Sequence, residues 1–221
     1  MTRLVLHHVP RTRSARTLWL LEEIGEPFDV AVRPFDKTLR SPDYLARSPA
    51  GRVPALEWDG RFLFETGAIA QLLTEAFSPD GLGRPVDHPE RADWLVWLHF
   101  AETISAHVQV LTQQHLVLRE DWMRSPTVTQ IEPARVGKCF DALEVRLEGR
   151  DWLLDGGFTA ADIGCAQAVD MARRFRRVEG HPALAAWMAR CEARPAAKRA
   201  LGEPGLYERD FFPPLEDRAH G

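Results

Sequence analysis

Cysteine is scarce: Cys139, Cys165 and Cys191 stand far apart, with no CxxC pair among them. So sparse and odd a set cannot build a disulfide framework and fits a reducing compartment, so a cytoplasmic location is expected. These thiols are expected to be buried or indifferent side chains. No run of about 18 apolar residues occurs, which argues against a membrane-spanning helix. Met1 to Arg16 lacks the apolar core and small-residue cleavage site of a signal peptide. Basic excess is missing too: 28 Lys and Arg face 32 Asp and Glu for a net charge of −4, so no positive field recommends nucleic acid as a partner. Metal-ligand spacing is absent from the histidines, and no metal is expected. His7 and His8 are adjacent, which suits opposite sides of a strand. Tyrosine is rare, with only Tyr44 and Tyr207.

What remains is the composition of a packed globular protein, 45% hydrophobic and 27% charged. Leu4-Val5-Leu6 reads as a buried strand. Thr17, Leu20, Leu21 and Ile24 then recur at helical spacing, with Gly25 as the helix stop. Phe28 to Arg33 alternates and is expected to be a half-buried strand, making a βαβ unit whose two strands are parallel. A short helical or irregular stretch follows at residues 41–48. Asp59-Gly60 between Ala55–Trp58 and Phe62–Phe64 signals a hairpin. Ile69, Leu72, Leu73 and Ala76 mark another helix, so the order is β-α-β-α-β-β-α. A Pro-, Gly- and Asp-rich stretch then divides the chain into domains 1–79 and 89–221, joined by a linker at 80–88. Beyond it alternation disappears. An amphipathic helix runs from Trp94 toward Leu118, a second covers about 128–147, a third 160–174, and a fourth opens at 184–191. The second half is all-α.

Four short motifs carry chemistry. Arg52-Val53-Pro54 opens a strand, the one strand position proline tolerates well. With a cis bond there, the peptide groups of Val53 would face outward to an extended ligand; the alternative is an ordinary trans strand start. Glu65-Thr66 stands at a strand-to-helix junction, where free N–H groups suit a ligand carboxylate and Glu65 suits an ammonium, unless Thr66 merely caps its helix. Thr12-Arg13-Ser14-Ala15-Arg16 opens the first helix, where a hydroxyl and a helix N-terminus would favour the ionised form of a thiol of ordinary pKa ~8.5. Capping by Ser14 is the structural alternative. Thr159-Ala160-Ala161-Asp162 has the form of a capping box for a buried helix.

Taken in order, these motifs resemble the soluble glutathione transferase superfamily, over nearly the whole chain. His7-His8 through Glu22-Glu23 is similar to the opening of many bacterial members. Ser48-Pro49-Ala50-Gly51-Arg52-Val53-Pro54-Ala55-Leu56 resembles their cis-proline loop, Glu65-Thr66-Gly67-Ala68-Ile69 their Glu-Ser-x-Ala-Ile signature, and 158–163 their helix cap. The resemblance implies a thioredoxin-like α/β N-terminal domain and an all-α C-terminal domain. It implies that glutathione is the co-substrate, with Val53 and cis Pro54 on its cysteinyl part, Glu65 and Thr66 on its γ-glutamyl end, and Arg13 and Arg52 close by. Lys37 or Arg40 would meet the glycyl carboxylate. The family's thiol partner is a Tyr, Ser or Cys near the first helix. This chain has no Tyr or Cys there, and the family's serine falls on Thr12, with Ser14 close behind, so both are candidate catalytic hydroxyls.

The resulting expectation is a glutathione transferase that stabilises the thiolate and promotes its attack on an electrophilic, apolar small molecule. That substrate would lie between the domains, against Trp97, Ala101, Ile104 and Ser105. A homodimer is implied by the resemblance. Two other functions share the motifs: a glutathione-dependent disulfide reductase or peroxidase, and a non-catalytic binding or interaction protein.

Overall fold

The computed structural model describes residues 2–202, 207 and 209–215; the rest, including 216–221 at the end of the expected helical domain, lie outside the described residues. Four strands, β1 (Leu4–His8), β2 (Asp29–Val32), β3 (Ala55–Trp58) and β4 (Arg61–Phe64), form one sheet in the order β2-β1-β3-β4. The β1 and β2 pair is parallel, with Leu6 beside Val30. Such a pair needs a crossover, and α1 (Ser14–Ile24) supplies it, ending at Gly25 (φ 80°), whose N–H returns to the Leu21 carbonyl. Strand β3 runs antiparallel to both β1 and β4. Asp59 (φ 49°) and Gly60 (φ 81°) make the tight turn between β3 and β4. All five residues of β1 are buried. Strand β2 corrects the expectation of a half-buried strand: only Ala31 is partly covered, because β2 is the sheet's edge. A 3-10 turn at 37–40 and the single-turn α2 (Pro42–Leu45) lead to β3, and α3 (Thr66–Phe77) closes the unit. This is a thioredoxin-like domain.

The second half is helical: α4 (Arg91–Thr112), α5 (Pro126–Leu147), α6 (Ala160–Ala172), α7 (Pro182–Ala193) and α8 (Pro195–Leu201). Helix α4 carries on through a π-helical turn at Gln113–Val117. Helix α6 is buried at every position except Met171, as its nearly uniform apolarity requires. Its start is the expected capping box, and Asp162 also accepts from the Leu153 N–H and the Trp187 indole, each at 2.9 Å. A Cβ on Gly164 would lie 3.3 Å from that of Ala101, so the glycine lets α6 sit close on α4. The Ala-rich α8, for which the apolar pattern gives no clear signal, packs on α1; with α6 on the same helix, this seam fixes the thioredoxin-like unit on the helical one.

Candidate functional site

Between β1 and α1 the chain turns sharply at Arg11, which adopts the left-handed conformation (φ 58°). Non-glycine residues there carry strain of about 1–3 kcal/mol and persist only where neighbours hold them. Here Arg11 donates to the Leu201 carbonyl at 2.5 Å and pairs with Asp170 at 3.6 Å. The turn brings Thr12 to the wall of a cavity of about 300 Å³. Ser14 faces the other way. It is fully buried, with its hydroxyl 2.8 Å from His8 Nδ1 and 3.1 Å from both the N–H and the carbonyl of Val9. Ser14 is the first residue of α1 and caps nothing, so neither reading of it, as helix cap or as a hydroxyl reaching a ligand, matches its geometry. His7 and His8 do part to opposite faces of β1: His7 meets Arg33 and the edge of Tyr44, while His8 meets Ser14.

The Val53–Pro54 peptide bond is cis, as the resemblance implies. Both backbone groups of Arg52 are tied down. The Tyr44 hydroxyl donates to its carbonyl at 2.9 Å, and its N–H donates to Ser48 Oγ at 3.3 Å. Among the described residues the N–H and C=O of Val53 have no partner. A small cleft of about 60 Å³ opens here, bounded by Arg13, Arg52, Val53, Pro54, Glu65 and Thr66. It brings together six of the residues singled out in the sequence. Lys37 and Arg40 are exposed on the 3-10 turn and border neither cavity; Leu39 between them lines the larger one.

Glu65 stands just before α3 in the left-handed region (φ 75°), with its side chain exposed and not capping the helix. Its carbonyl takes the first helical bond, from Ile69, which leaves the N–H groups of the first turn for another acceptor. The Thr66 hydroxyl corrects an expectation. It caps nothing and donates instead to Glu102 of α4, so what α3 offers a carboxylate is its backbone. Glu102 is a hub that the sequence patterning hides, since one acid on the polar side of an amphipathic helix carries no distinguishing signal. It also pairs with Arg16 and, at 3.2 Å, with Arg13. Burial pushes the Glu102 carboxyl up, but Arg16, Thr66 and Arg13 outweigh it and hold the group below the usual carboxylate range. Buried Arg16 reaches further, to Ser105 at 2.9 Å and Gln167 at 3.3 Å, and Gln167 donates onward to the Thr12 carbonyl.

The larger cavity shares Arg13, Arg52 and Val53 with the cleft, so the two meet along one wall, with Thr12 beside it. Its α4 side comes from Ser105, Val108, Gln109 and Thr112, one helical stripe at i, i+3, i+4 and i+7. Of the wall expected from the sequence only Ser105 lies there. Ala101 and Ile104 are fully buried in the core, and Trp97 packs against Phe100 one turn or more too early. Phe35, Leu39, Val117 and Met171 supply further apolar surface. Among the described residues no cluster of potential metal ligands occurs, and no helix is long and apolar enough to cross a membrane.

Comparison with known proteins bears on this arrangement. The family models for the glutathione S-transferase N-terminal and C-terminal domains match residues 1–75 and 110–195. Glutathione S-transferase F13 of Arabidopsis thaliana is 31% identical over 157 residues, covering 67% of this chain and 70% of the relative. Glutathione S-transferase 3 of Schizosaccharomyces pombe is 26% identical over 228 residues, 98% of this chain and 94% of the relative. In fold, the chain superposes with a TM-score of 0.78 on a glutathione transferase from Pseudomonas putida solved with one glutathione disulfide bound per subunit, at 24% identity over 92% of both chains. The chain belongs to the glutathione S-transferase family.

Proposed function

We propose that this protein binds reduced glutathione in the cleft at the cis-proline loop, holds its sulfur as a thiolate beside Thr12, and directs it at an apolar electrophile in the larger cavity. The observation that carries the reading is the shared wall: Arg13, Arg52 and Val53 border both spaces, and Thr12, next to Arg13 in the chain, lines the larger one. Val53 offers an unpaired N–H and C=O to the cysteinyl residue. The first N–H groups of α3 donate to the γ-glutamyl carboxylate, and Glu65 accepts from the ammonium. Thr12 and the start of α1 stabilise the anion, and the cavity supplies proximity for the second substrate. Exposed apolar side chains on β4, α3 and α4 (Phe64, Leu72 and Val96) suit the face a second copy would cover in a homodimer, which light scattering tests. The three thiols are free and buried, in keeping with a reducing cytoplasm.

Calorimetry with reduced glutathione, then conjugation of the thiol to a reactive aryl halide, tests the function. Absence of binding overturns it. Binding with reduction of a peroxide or disulfide in place of conjugation favours the reductase reading, in which bound glutathione supplies the sulfur, because no cysteine of the chain borders the site. Binding without either reaction favours a binding module.

A further inference from the structure

Hydroxyl protons are fewer than acceptors in the turn between β1 and α1, and the balance decides what Thr12 can do. The inference rests on the proposed function, since it takes Thr12 as the thiol's partner. The Val9 carbonyl is buried and has two hydroxyls in reach, Thr12 Oγ1 at 2.8 Å and Ser14 Oγ at 3.1 Å. Those two oxygens are 2.9 Å apart, and Ser14 Oγ is 2.8 Å from His8 Nδ1, where His8 is fully buried. Backbone donors serve the lone pairs: Val9 N–H reaches Ser14 Oγ at 3.1 Å, and Ser14 N–H reaches Thr12 Oγ1 at 3.3 Å.

Each hydroxyl has a single proton to give. If His8 Nδ1 lacks a proton, it takes the one on Ser14. The Val9 carbonyl then depends on Thr12, and a thiolate arriving beside Thr12 finds no donor unless a buried carbonyl is left unpaired. If His8 Nδ1 carries a proton, it donates to Ser14, Ser14 donates to the Val9 carbonyl, and the Thr12 proton is available. Two protons then meet two acceptors. We propose that His8 is the Nδ1–H tautomer and that His8 and Ser14 are positioning residues which release the Thr12 hydroxyl to the glutathione thiolate. No proton is exchanged; the hydroxyls rotate, Ser14 taking over the carbonyl as Thr12 turns to sulfur.

The ultraviolet absorbance of the thiolate, followed against pH in the enzyme–glutathione complex, reads the effect. Thr12→Val and Ser14→Ala are each expected to raise the pKa of the bound thiol by about one to two pH units, the size that a hydrogen bond to a charged group commands. Glutathione affinity, measured at a pH where the thiol is protonated, should not change. Adding Ser14→Ala to Thr12→Val should raise the pKa no further, because the two act through one proton. His8→Leu, which accepts nothing and leaves the Ser14 proton to the Val9 carbonyl, and His8→Asn, whose amide places a donor where Nδ1 stands, should both keep the thiol pKa near the wild-type value. Nitrogen-15 NMR of the labelled wild-type protein reads the tautomer directly, even if Ser14→Ala fails to fold. An unprotonated Nδ1, or a thiol pKa raised by Thr12→Val and untouched by Ser14→Ala, overturns the relay. A thiol pKa unmoved by Thr12→Val overturns the assignment of Thr12 itself.

Discussion

The side-chain amide of Gln167, on α6, donates to the carbonyl of Thr12 at 3.3 Å, so the helical half of the molecule grips the loop that carries the candidate hydroxyl. Three residues further along α6, Asp170 takes the Arg11 guanidinium, and Arg11 also reaches the end of α8. The strained turn is therefore held from outside its own domain.

Replacing Gln167 by Leu removes the acceptor of buried Arg16 Nε along with the donor to Thr12. Leaving a buried donor unpaired costs about 1–3 kcal/mol, and a lower urea midpoint at unchanged slope is expected. Turnover should fall more than glutathione affinity, because Val53 and Glu65, the residues proposed to hold the tripeptide, sit on other loops. Equal losses in both would show that the loop and the cleft move together.

Glu102 gives an acid-sensitive element. Arg16 is only 5% exposed, so deleting its partner leaves a buried charge uncompensated. The carboxylate is itself partly open to water, and Glu102→Ala should cost about 3 kcal/mol at pH 7, the lower end for a broken buried pair. Glu102→Gln, whose carbonyl still accepts from Arg16 and Thr66, should cost less. The sign of the pH effect follows from the depressed folded pKa. The contribution is whole above the unfolded value of about 4.3 and disappears as pH falls through the folded value. Denaturation midpoints between pH 6 and pH 3 should therefore fall less steeply in Glu102→Gln than in the wild type.

A second pH effect lies higher. Burial lowers the His7 pKa, and the nearby Arg33 and Arg47 lower it further; burial also lowers that of His115, helped by Arg124. For a histidine whose folded value lies below the unfolded one of about 6.5, the unfolded chain binds the proton first. Stability is then complete above that value and declines as pH drops toward the folded pKa. Between pH 7 and pH 5 His7→Phe should flatten part of that decline, with His115 keeping the rest. An unchanged slope in thermal unfolding across that range would contradict the assignment.

Local rules carried the sequence reading where the structure obeys them. The alternation at His7-His8, the Asp59-Gly60 turn, the Gly25 stop and the Thr159–Asp162 cap each depend on a few adjacent residues, and each stands where the spacing puts it. Tertiary placement escaped that logic. Strand β2 alternates as a half-buried strand does, yet its edge position exposes it. The α4 stripe that lines the larger cavity begins at Ser105 and runs toward the C-terminus, because the earlier turns are already taken up against α3 and α1, through Arg91 with Glu75, His99 beside Gly67 and Glu102 with Arg16. Ser14 and Thr12 are two residues apart and equally plausible as hydroxyls, but the strained turn at Arg11 points one to the cavity and the other to His8. Glu102 and Gln167 act only through partners 36 to 155 positions away in the chain, which no local pattern encodes.

Tyr44 supplies a test confined to the cleft. Its ring is buried, and its hydroxyl holds the Arg52 carbonyl next to Val53, the residue proposed to pair with the cysteinyl backbone. Burial pushes the phenol up to about 12, so it stays a donor throughout the working pH range. Tyr44→Phe keeps the ring and deletes only that donor, leaving the loop held by Ser48 alone. A net hydrogen bond of this kind is worth about 1 kcal/mol, which corresponds to a roughly fivefold weaker hold on glutathione. The expected outcome is a several-fold rise in KM for glutathione, little change in kcat, and an unchanged pKa of the bound thiol, because Thr12 is not touched. A fall in kcat with KM constant would move Tyr44 from ligand placement to the chemical step, and would require the Arg52–Val53 loop to shape the transition state as well as the complex.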